Sequence, residues 1–128
     1  MNHTKQGRNE LNEKLTFLGS LLLEKKASNV LALDVSIYSG AFEGMILASA
    51  GGNRHARSLA DHVLEAVKEN QLDYLGMEGY QEGEWILLDL NDIIIHIFLD
   101  ETRLFYNLEG FWTRGREIPL KATGGEHA

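Results

Sequence analysis

Residues 85–99, Trp-Ile-Leu-Leu-Asp-Leu-Asn-Asp-Ile-Ile-Ile-His-Ile-Phe-Leu, decide the fold of this 128-residue chain. Two runs rich in aliphatic and β-branched residues, Trp85 to Leu90 and Ile93 to Leu99, are separated only by Asn91-Asp92. Two residues of this type between two strand-forming runs are typical of a tight hairpin. The stretch therefore predicts two antiparallel strands in which Leu90 stands opposite Ile93.

This pairing sorts the hairpin side chains onto two faces, because successive residues of a strand point to opposite sides. One face is wholly aliphatic and is predicted to be core: Ile86, Leu88, Leu90, Ile93, Ile95 and Ile97. The other face mixes aromatic, aliphatic and polar side chains: Trp85, Leu87, Asp89, Ile94, His96 and Phe98. Such a mixture is typical of the centre of a protein–protein interface. A helix covering this face, with His96 bonded to Asp89 or to the backbone, is the alternative explanation.

Outward from the hairpin, the sequence alternates between helical and strand patterns. Leucines at helical spacing predict a first helix over 9–26, and an amphipathic stripe predicts a second over 54–70 with Asn53 as its N-cap. Strand-forming runs lie at 29–35, 45–50 and 74–77, and 101–112 returns to helical spacing. This order predicts one α/β (α+β) domain over 9–112, with a mixed sheet flanked by helices. We expect residues 1–8 to be flexible and residues 113–128 to form an irregular tail.

The composition is that of an ordinary globular protein, with 44% hydrophobic and 24% charged residues. There is no cysteine, which excludes a disulfide scaffold and thiolate chemistry. No apolar run approaches the ~18 residues that a membrane span needs, and the start lacks the pattern of a signal peptide, so a cytoplasmic location is expected. The formal net charge of −7 disfavours direct binding to nucleic acid and favours a basic partner.

Four parts of the chain carry a recognisable combination of motifs. They are 54–61 (Arg-His-Ala-Arg-Ser-Leu-Ala-Asp), 76–79 (Gly-Met-Glu-Gly), 83–98 (Gly-Glu followed by most of the hairpin), and Arg103, Tyr106, Leu108, Glu109 and Trp112. In this order and spacing they resemble the ribosomal silencing factor (Iojap-like) family. The likeness runs from about Leu11 to Trp112, and the stretch 78–112 is its most specific part. The turns at 39–44 and 50–53 depart from the family's pattern.

The resemblance implies a nucleotidyltransferase-like fold that has lost its catalysis and needs no cofactor. It also implies binding to the large ribosomal subunit at ribosomal protein fourteen, which would block association with the small subunit and repress translation. Carried over by position, the partner-binding residues would be Trp85, Leu90, Asp92, Glu84, Asp89 and His96.

The implied contact residues do not all lie on one face of the predicted hairpin. Because Leu90 falls on the aliphatic face and Asp92 in the turn, we expect the contact surface to wrap around the hairpin tip, with Leu90 protruding beside the loop. An acidic rim around Trp85 would meet a basic ribosomal surface and speed the encounter. The rim consists of Glu82, Glu84, Asp89 and Asp92.

Other functions fit the residues less well. A nucleotidyl transferase needs carboxylates spaced to hold magnesium after a Gly-Ser turn, whereas 51–53 (Gly-Gly-Asn) is followed by Arg54 and His55, and no Asp-x-Asp pair exists. No metal site is predicted, since His55 and His62 would lie two helical turns, ~10 Å, apart. The remaining alternatives are a homo-oligomeric structural protein whose mixed hairpin face pairs with itself, and a vestigial nucleotide-binding protein.

Overall fold

The computed structural model of the chain describes residues 5–37, 39–107 and 115–120. In chain order, the elements are α1 (Lys5–Glu24), β1 (Ser28–Asp34), β2 (Gly44–Ala50), α2 (Asn53–Glu69), β3 (Gly76–Glu78), β4 (Trp85–Asp89), β5 (Ile93–Leu99), α3 (Asp100–Tyr106) and β6 (Arg116–Ile118). The strands form one sheet in the order β3-β4-β5-β2-β1-β6. Strands β2 and β5 are parallel and the other neighbours are antiparallel, which confirms the predicted single domain with a mixed sheet.

Helices α1 and α2 pack on one face of the sheet and enclose the main core. The helical spacing of the leucines in α1 brings Leu11, Leu15, Leu18 and Leu22 onto one buried stripe. The apolar stripe of α2 packs beside it through Ala56, Leu59, Ala60, Val63, Ala66 and Val67. Both stripes meet the aliphatic side chains of the central strands, so the predicted helix faces are confirmed.

The hairpin of β4 and β5 has the predicted register. Trp85 pairs with Phe98, and the pairing continues two by two to Asp89 and Ile94. The Leu90 N–H donates to the Ile93 carbonyl at 2.9 Å, which leaves Asn91-Asp92 as the two loop residues. Asn91 adopts a φ of +80°, a conformation that Asn tolerates better than most residues. The aliphatic face of the hairpin is buried throughout, as expected.

A second, smaller apolar cluster lies on the opposite face of the sheet. Its buried members are Met45, Leu47 and Phe98, and Leu31, Phe42 and Trp85 pack against them. Helix α3 lies over one end of this face. There the buried Arg103 donates to the Ser49 hydroxyl at 2.8 Å and to the Asn29 carbonyl at 2.7 Å, and its guanidinium lies 5.7 Å from the centre of the Phe98 ring.

The ends of the chain differ from the sequence prediction. Helix α1 begins at Lys5, so residues 5–8 are helical, where we had expected a flexible segment; residues 1–4 lie outside the described residues. Within the expected irregular tail, β6 pairs with β1. A strand of three residues is too short to show a periodic pattern, and tertiary contacts hold it. Arg116 reaches the buried Asp34 at 3.1 Å, and Leu120 fills the space above Gly19.

Two local predictions were wrong or fall partly outside the described residues. Asn53 is the first residue of α2, and the N-cap position is taken by Gly52 without a side-chain hydrogen bond. The Asn53 amide donates instead to the Glu82 carbonyl at 2.8 Å. The last predicted helix, 101–112, corresponds to α3, which ends at Tyr106 with Asn107 as its C-cap. Positions 108–112 of the prediction lie outside the described residues.

No helix within the described ranges is both long and apolar enough to cross a membrane.

Candidate functional site on the β4–β5 hairpin

The side of the hairpin that faces away from α1 and α2 is called the hairpin outer face, and it carries the mixed set of side chains predicted from the sequence. Its members are Trp85, Leu87, Asp89, Ile94, His96 and Phe98. Phe98 and His96 are buried, while the other four are half-buried. The outer face is thus more buried at the end near α3, called the packed end, and more exposed at the end near the turn.

Trp85 lies at the packed end of the hairpin outer face. Its indole Nε1–H donates to Nδ1 of His96 at 3.0 Å. The indole ring centre lies 5.9 Å from the imidazole and 5.7 Å from the Phe98 ring, both in tilted arrangements. The indole is therefore anchored along its nitrogen edge but is still half-buried rather than enclosed.

His96 is a neutral, buried imidazole. Only 7% of the residue is exposed, and burial lowers the pKa of His96 from 6.5 to about 4, because the charged form loses its hydration. Nδ1 accepts the indole hydrogen bond, so the ring proton resides on Nε2. Nδ1 of His96 is thus bonded to Trp85, and not to Asp89 or the backbone as the alternative explanation had it.

Asp89 shapes the turn as well as facing outward. Its carboxylate Oδ1 accepts the Asn91 N–H at 2.9 Å, and its carbonyl accepts the Leu75 N–H at 2.8 Å. The Asn91 side chain donates to the Asp73 carboxylate at 3.1 Å. Asp89 therefore combines a structural role with a half-buried position on the outer face.

Asp92 lies at the hairpin tip and is tied to two other parts of the chain. Its carboxylate forms an ion pair with Lys14 of α1. Its carbonyl accepts the N–H groups of Glu43 and Gly44 at 2.8 and 3.0 Å. The tip is thus pinned to α1 and to the segment that enters β2, and in this conformation the charge of Asp92 is already partnered.

Leu90 does not protrude from the tip, and that expectation was wrong. Only 2% of the residue is exposed, and it belongs to the main core together with Ile93. The physical reason is the period-two alternation of the strand, which directs Leu90 toward α1 and α2 like Ile86 and Leu88 before it. The tip is consequently closed by core packing, and Leu90 supports the hairpin from within.

The acidic residues around Trp85 are not equivalent. Glu82 and Glu84 are exposed, whereas Asp89 and Asp92 are half-buried. Glu78 of β3, which the sequence reading did not include, pairs with Leu87 in the sheet and is exposed beside it. The exposed part of the acidic rim therefore lies toward the β3–β4 side of the outer face.

Leu87 and Ile94 were predicted to lie on the mixed face but were not among the predicted contact residues. Both are half-buried on the hairpin outer face, Leu87 opposite His96 and Ile94 opposite Asp89. Together with Trp85 they form its accessible apolar part. The alternation of the two strands is the signal that could have identified them.

The start of α2 is occupied by structural contacts. His55 accepts the Gly51 N–H at Nδ1 and donates from Nε2 to the Lys25 carbonyl, both at 3.0 Å. This imidazole thereby joins the end of α1 to the start of α2. Among the described residues, no group of three or more His, Cys, Asp or Glu side chains could hold a metal ion.

Comparison with known proteins agrees with these features. The chain matches the family model described as "Ribosomal silencing factor during starvation" over residues 8–127. A ribosomal silencing factor from Chromobacterium violaceum is 35% identical over 99 residues, which cover 77% of this chain and 80% of that protein. A mouse protein named "Mitochondrial assembly of ribosomal large subunit protein 1" is 26% identical over 102 residues, which cover 77% of this chain and 45% of that protein.

Similarity extends to a solved structure. A crystal structure of a Chromobacterium violaceum protein superposes with a TM-score of 0.74 and 33% sequence identity, covering 91% of this chain and 92% of that one. The matching family model spans nearly the whole sequence, and the bacterial relative aligns over most of both chains. On these grounds the chain belongs to the ribosomal silencing factor family.

Proposed function

We propose that this protein docks on the large ribosomal subunit at ribosomal protein fourteen through the hairpin outer face, and thereby blocks association with the small subunit. Translation is repressed because a subunit so occupied cannot join its partner. The observation that carries the proposal is the half-buried indole of Trp85, anchored by His96 beside exposed carboxylates. Large aromatic side chains in this setting are the usual energetic centres of protein interfaces.

The proposed contact surface is the accessible part of the hairpin outer face. Trp85, Leu87 and Ile94 supply its apolar centre, and Glu84 and Asp89 lie at its rim. An apolar centre with a charged rim is the common anatomy of a specific interface. His96 contributes from beneath the surface. Leu90 contributes only through the core, and Asp92 mainly by fixing the tip.

Charge supports a basic partner. The chain carries a formal net charge of −7. Glu82 and Glu84 lie in the segment that leads into Trp85, Glu78 pairs with Leu87, and all three glutamates are exposed. Ribosomal proteins are typically basic because they bind RNA, so opposite potentials would steer the two proteins together. The name of the mouse relative, which refers to assembly of the ribosomal large subunit, favours that subunit as the site of docking.

The proposed mechanism is steric and needs no chemical step or cofactor. It places the protein in the cytoplasm, where ribosomal subunits join. Self-association through the same apolar surface would compete with docking, so the oligomeric state of the free protein belongs to the same proposal.

A subunit-joining assay tests the proposal. Purified large subunits are incubated with the protein, small subunits are added, and joining is followed by light scattering and by sucrose-gradient sedimentation. The expected result is co-migration of the protein with the large subunit and fewer joined ribosomes. As the order-of-addition control, the small subunits are incubated with the large subunits before the protein is added. Unimpaired joining at saturating protein, or migration with the small subunit instead, would contradict the proposal.

A further inference from the structure

The imidazole of His96 occupies a fixed place in the sheet. His96 lies in the middle of β5, paired with Leu87 of β4 on one side and with Leu47 of β2 on the other. Its ring is stacked at 18° on the Phe98 ring, with 6.1 Å between the centres. With strands on both sides and a ring beside it, the imidazole has little freedom to turn.

The bond between His96 and Trp85 is directional. The indole carries a single donor, Nε1–H, and that donor is used on Nδ1 of His96 at 3.0 Å. Trp85 is the first residue of β4, and its backbone follows a loop, so strand pairing constrains it less than His96. The hydrogen bond therefore transmits the fixed position of the imidazole to the orientation of the indole ring.

We propose that His96 is a positioning residue for docking: it holds the Trp85 indole in the orientation that the partner recognises. This inference rests on the proposed function. Its consequence concerns the chemistry of the partner. Because the indole N–H is already used within the chain, the partner contacts Trp85 as an apolar π surface and supplies apolar or cationic groups rather than a hydrogen-bond acceptor.

Matched substitutions separate positioning from simple space filling. In His96→Asn, the amide Oδ1 stands where Nδ1 stood and can accept the indole N–H. In His96→Leu, a branched side chain of similar reach has no acceptor there. If His96 only filled space, Leu would replace it at least as well as Asn, because the site is buried and flanked by Leu47, Leu87 and Phe98.

The experiment follows the indole itself and the docking of the protein in parallel. Both variants are made in a Trp112→Phe background, so that Trp85 is the only tryptophan. The ¹⁵N–¹H resonance of the indole N–H and its exchange with solvent report the hydrogen bond. Titration with purified large subunits reports affinity. We expect His96→Asn to keep a protected indole N–H and near-parental affinity, and His96→Leu to lose protection and weaken binding about tenfold or more.

The outcomes distinguish this inference from the proposed function. A folded His96→Leu protein with a protected indole N–H and parental affinity would overturn the inference, and so would a His96→Asn protein no better than His96→Leu. If His96→Leu does not fold, His96→Gln takes its place, because the Gln acceptor Oε1 lies one bond farther from the backbone than Nδ1 of His96. Equal behaviour of the Gln and Asn variants overturns the inference. Failure of the parental protein to bind large subunits would refute the proposed function, while the indole resonance would still report positioning.

Discussion

The protonation of the buried His96 affects both the stability of the fold and the hydrogen bond to Trp85 on the hairpin outer face. It is almost entirely buried, and burial alone accounts for the lowering of its pKa to about 4. A neutral imidazole is what the hydrogen bond from Trp85 requires, since a protonated ring has no acceptor left. The same burial that fixes the indole therefore costs stability when the solution becomes acidic.

The stability of the folded protein should depend on pH through His96. In the unfolded chain the imidazole takes up a proton near pH 6.5, whereas in the folded chain it does so only near pH 4. The unfolded state thus binds more protons between these values, and stability increases with pH across this window. Full stability is present above pH 6.5, and roughly 3 kcal/mol is lost as the pH falls to 4.

Urea unfolding at a series of pH values measures this dependence, with His96→Asn as the control. The variant lacks the imidazole and should show a flatter profile between pH 4 and 6.5. Asp34 does not disturb the comparison. Burial opposes ionisation of the Asp34 carboxyl, but hydrogen bonds from Ser36 and Arg116 leave its pKa lowered from 3.8. The stability that the ionised Asp34 contributes is therefore lost below the range of pH 4 to 6.5. Equal slopes for the two proteins would contradict the assignment to His96.

Residue-level patterns predicted some of the site and missed the rest. Trp85 and His96 were correctly placed on one face because alternation along a strand is a geometric rule. The hydrogen bond between them was not predicted, because side-chain direction depends on the neighbouring Phe98 and Leu87. Leu90 was correctly assigned to the aliphatic face, but its burial argues against the partner-binding role that the family resemblance implied for it.

At the scale of elements, the hairpin is stabilised at its tip as well as along its strands. The Lys14–Asp92 ion pair joins α1 to the turn, and the Asp92 carbonyl holds the chain entering β2 at Glu43 and Gly44. The side chains of Lys14 and Asp92 are 34% and 29% exposed, so solvent screens their attraction. The pair should orient the tip more than it stabilises the fold.

A double-mutant cycle measures the contribution of this ion pair. We expect Lys14→Met and Asp92→Asn each to lower the free energy of unfolding by about 0.5–1 kcal/mol, and the double variant to cost less than their sum. Urea denaturation provides the values. Lys68→Met combined with Asp92→Asn is the control, because Lys68 lies on α2 and has no described contact with Asp92; these effects should add. Additive effects for Lys14 and Asp92 would show that the pair does not couple.

Elements with a long periodic pattern were predictable, and short ones held by tertiary contacts were not. The hairpin was confirmed to the residue because Asn91-Asp92 fixed its register. Strand β6 was missed, since three residues show no period and its partner β1 lies far away in the sequence. The N-cap of α2 was wrong because the Asn53 amide bonds to the β3–β4 loop, a contact invisible to local propensity.

At the scale of the whole molecule, charge and topology act together. The strand order brings β3, β4 and β5 to one side of the sheet, where Glu78 pairs with Leu87, Glu84 precedes Trp85, and both glutamates are exposed. With a formal net charge of −7, the chain presents a negative potential to any basic surface. Such a field accelerates encounter, while the apolar centre determines how long the complex lasts.

Binding should therefore respond to salt mainly through the association rate. Raising the ionic strength from about 0.01 to 0.1 M shortens the Debye length from about 30 to 10 Å. We expect the association rate with purified ribosomal protein fourteen to fall roughly tenfold or more, with little change in dissociation. Stopped-flow fluorescence measures both rates. Glu84→Gln should slow association at low salt only, and an association rate insensitive to salt would refute the role of the acidic rim.

The most direct test of docking through Trp85 is the affinity of Trp85→Ala for purified large subunits, measured beside Phe17→Ala. Phe17 is a partly exposed aromatic on α1, on the opposite side of the sheet, and its loss controls for removing a surface ring. We expect Trp85→Ala to fold normally and to weaken binding by about 2 kcal/mol or more, roughly thirtyfold, while Phe17→Ala binds like the parent protein. A folded Trp85→Ala protein with parental affinity would contradict docking through Trp85.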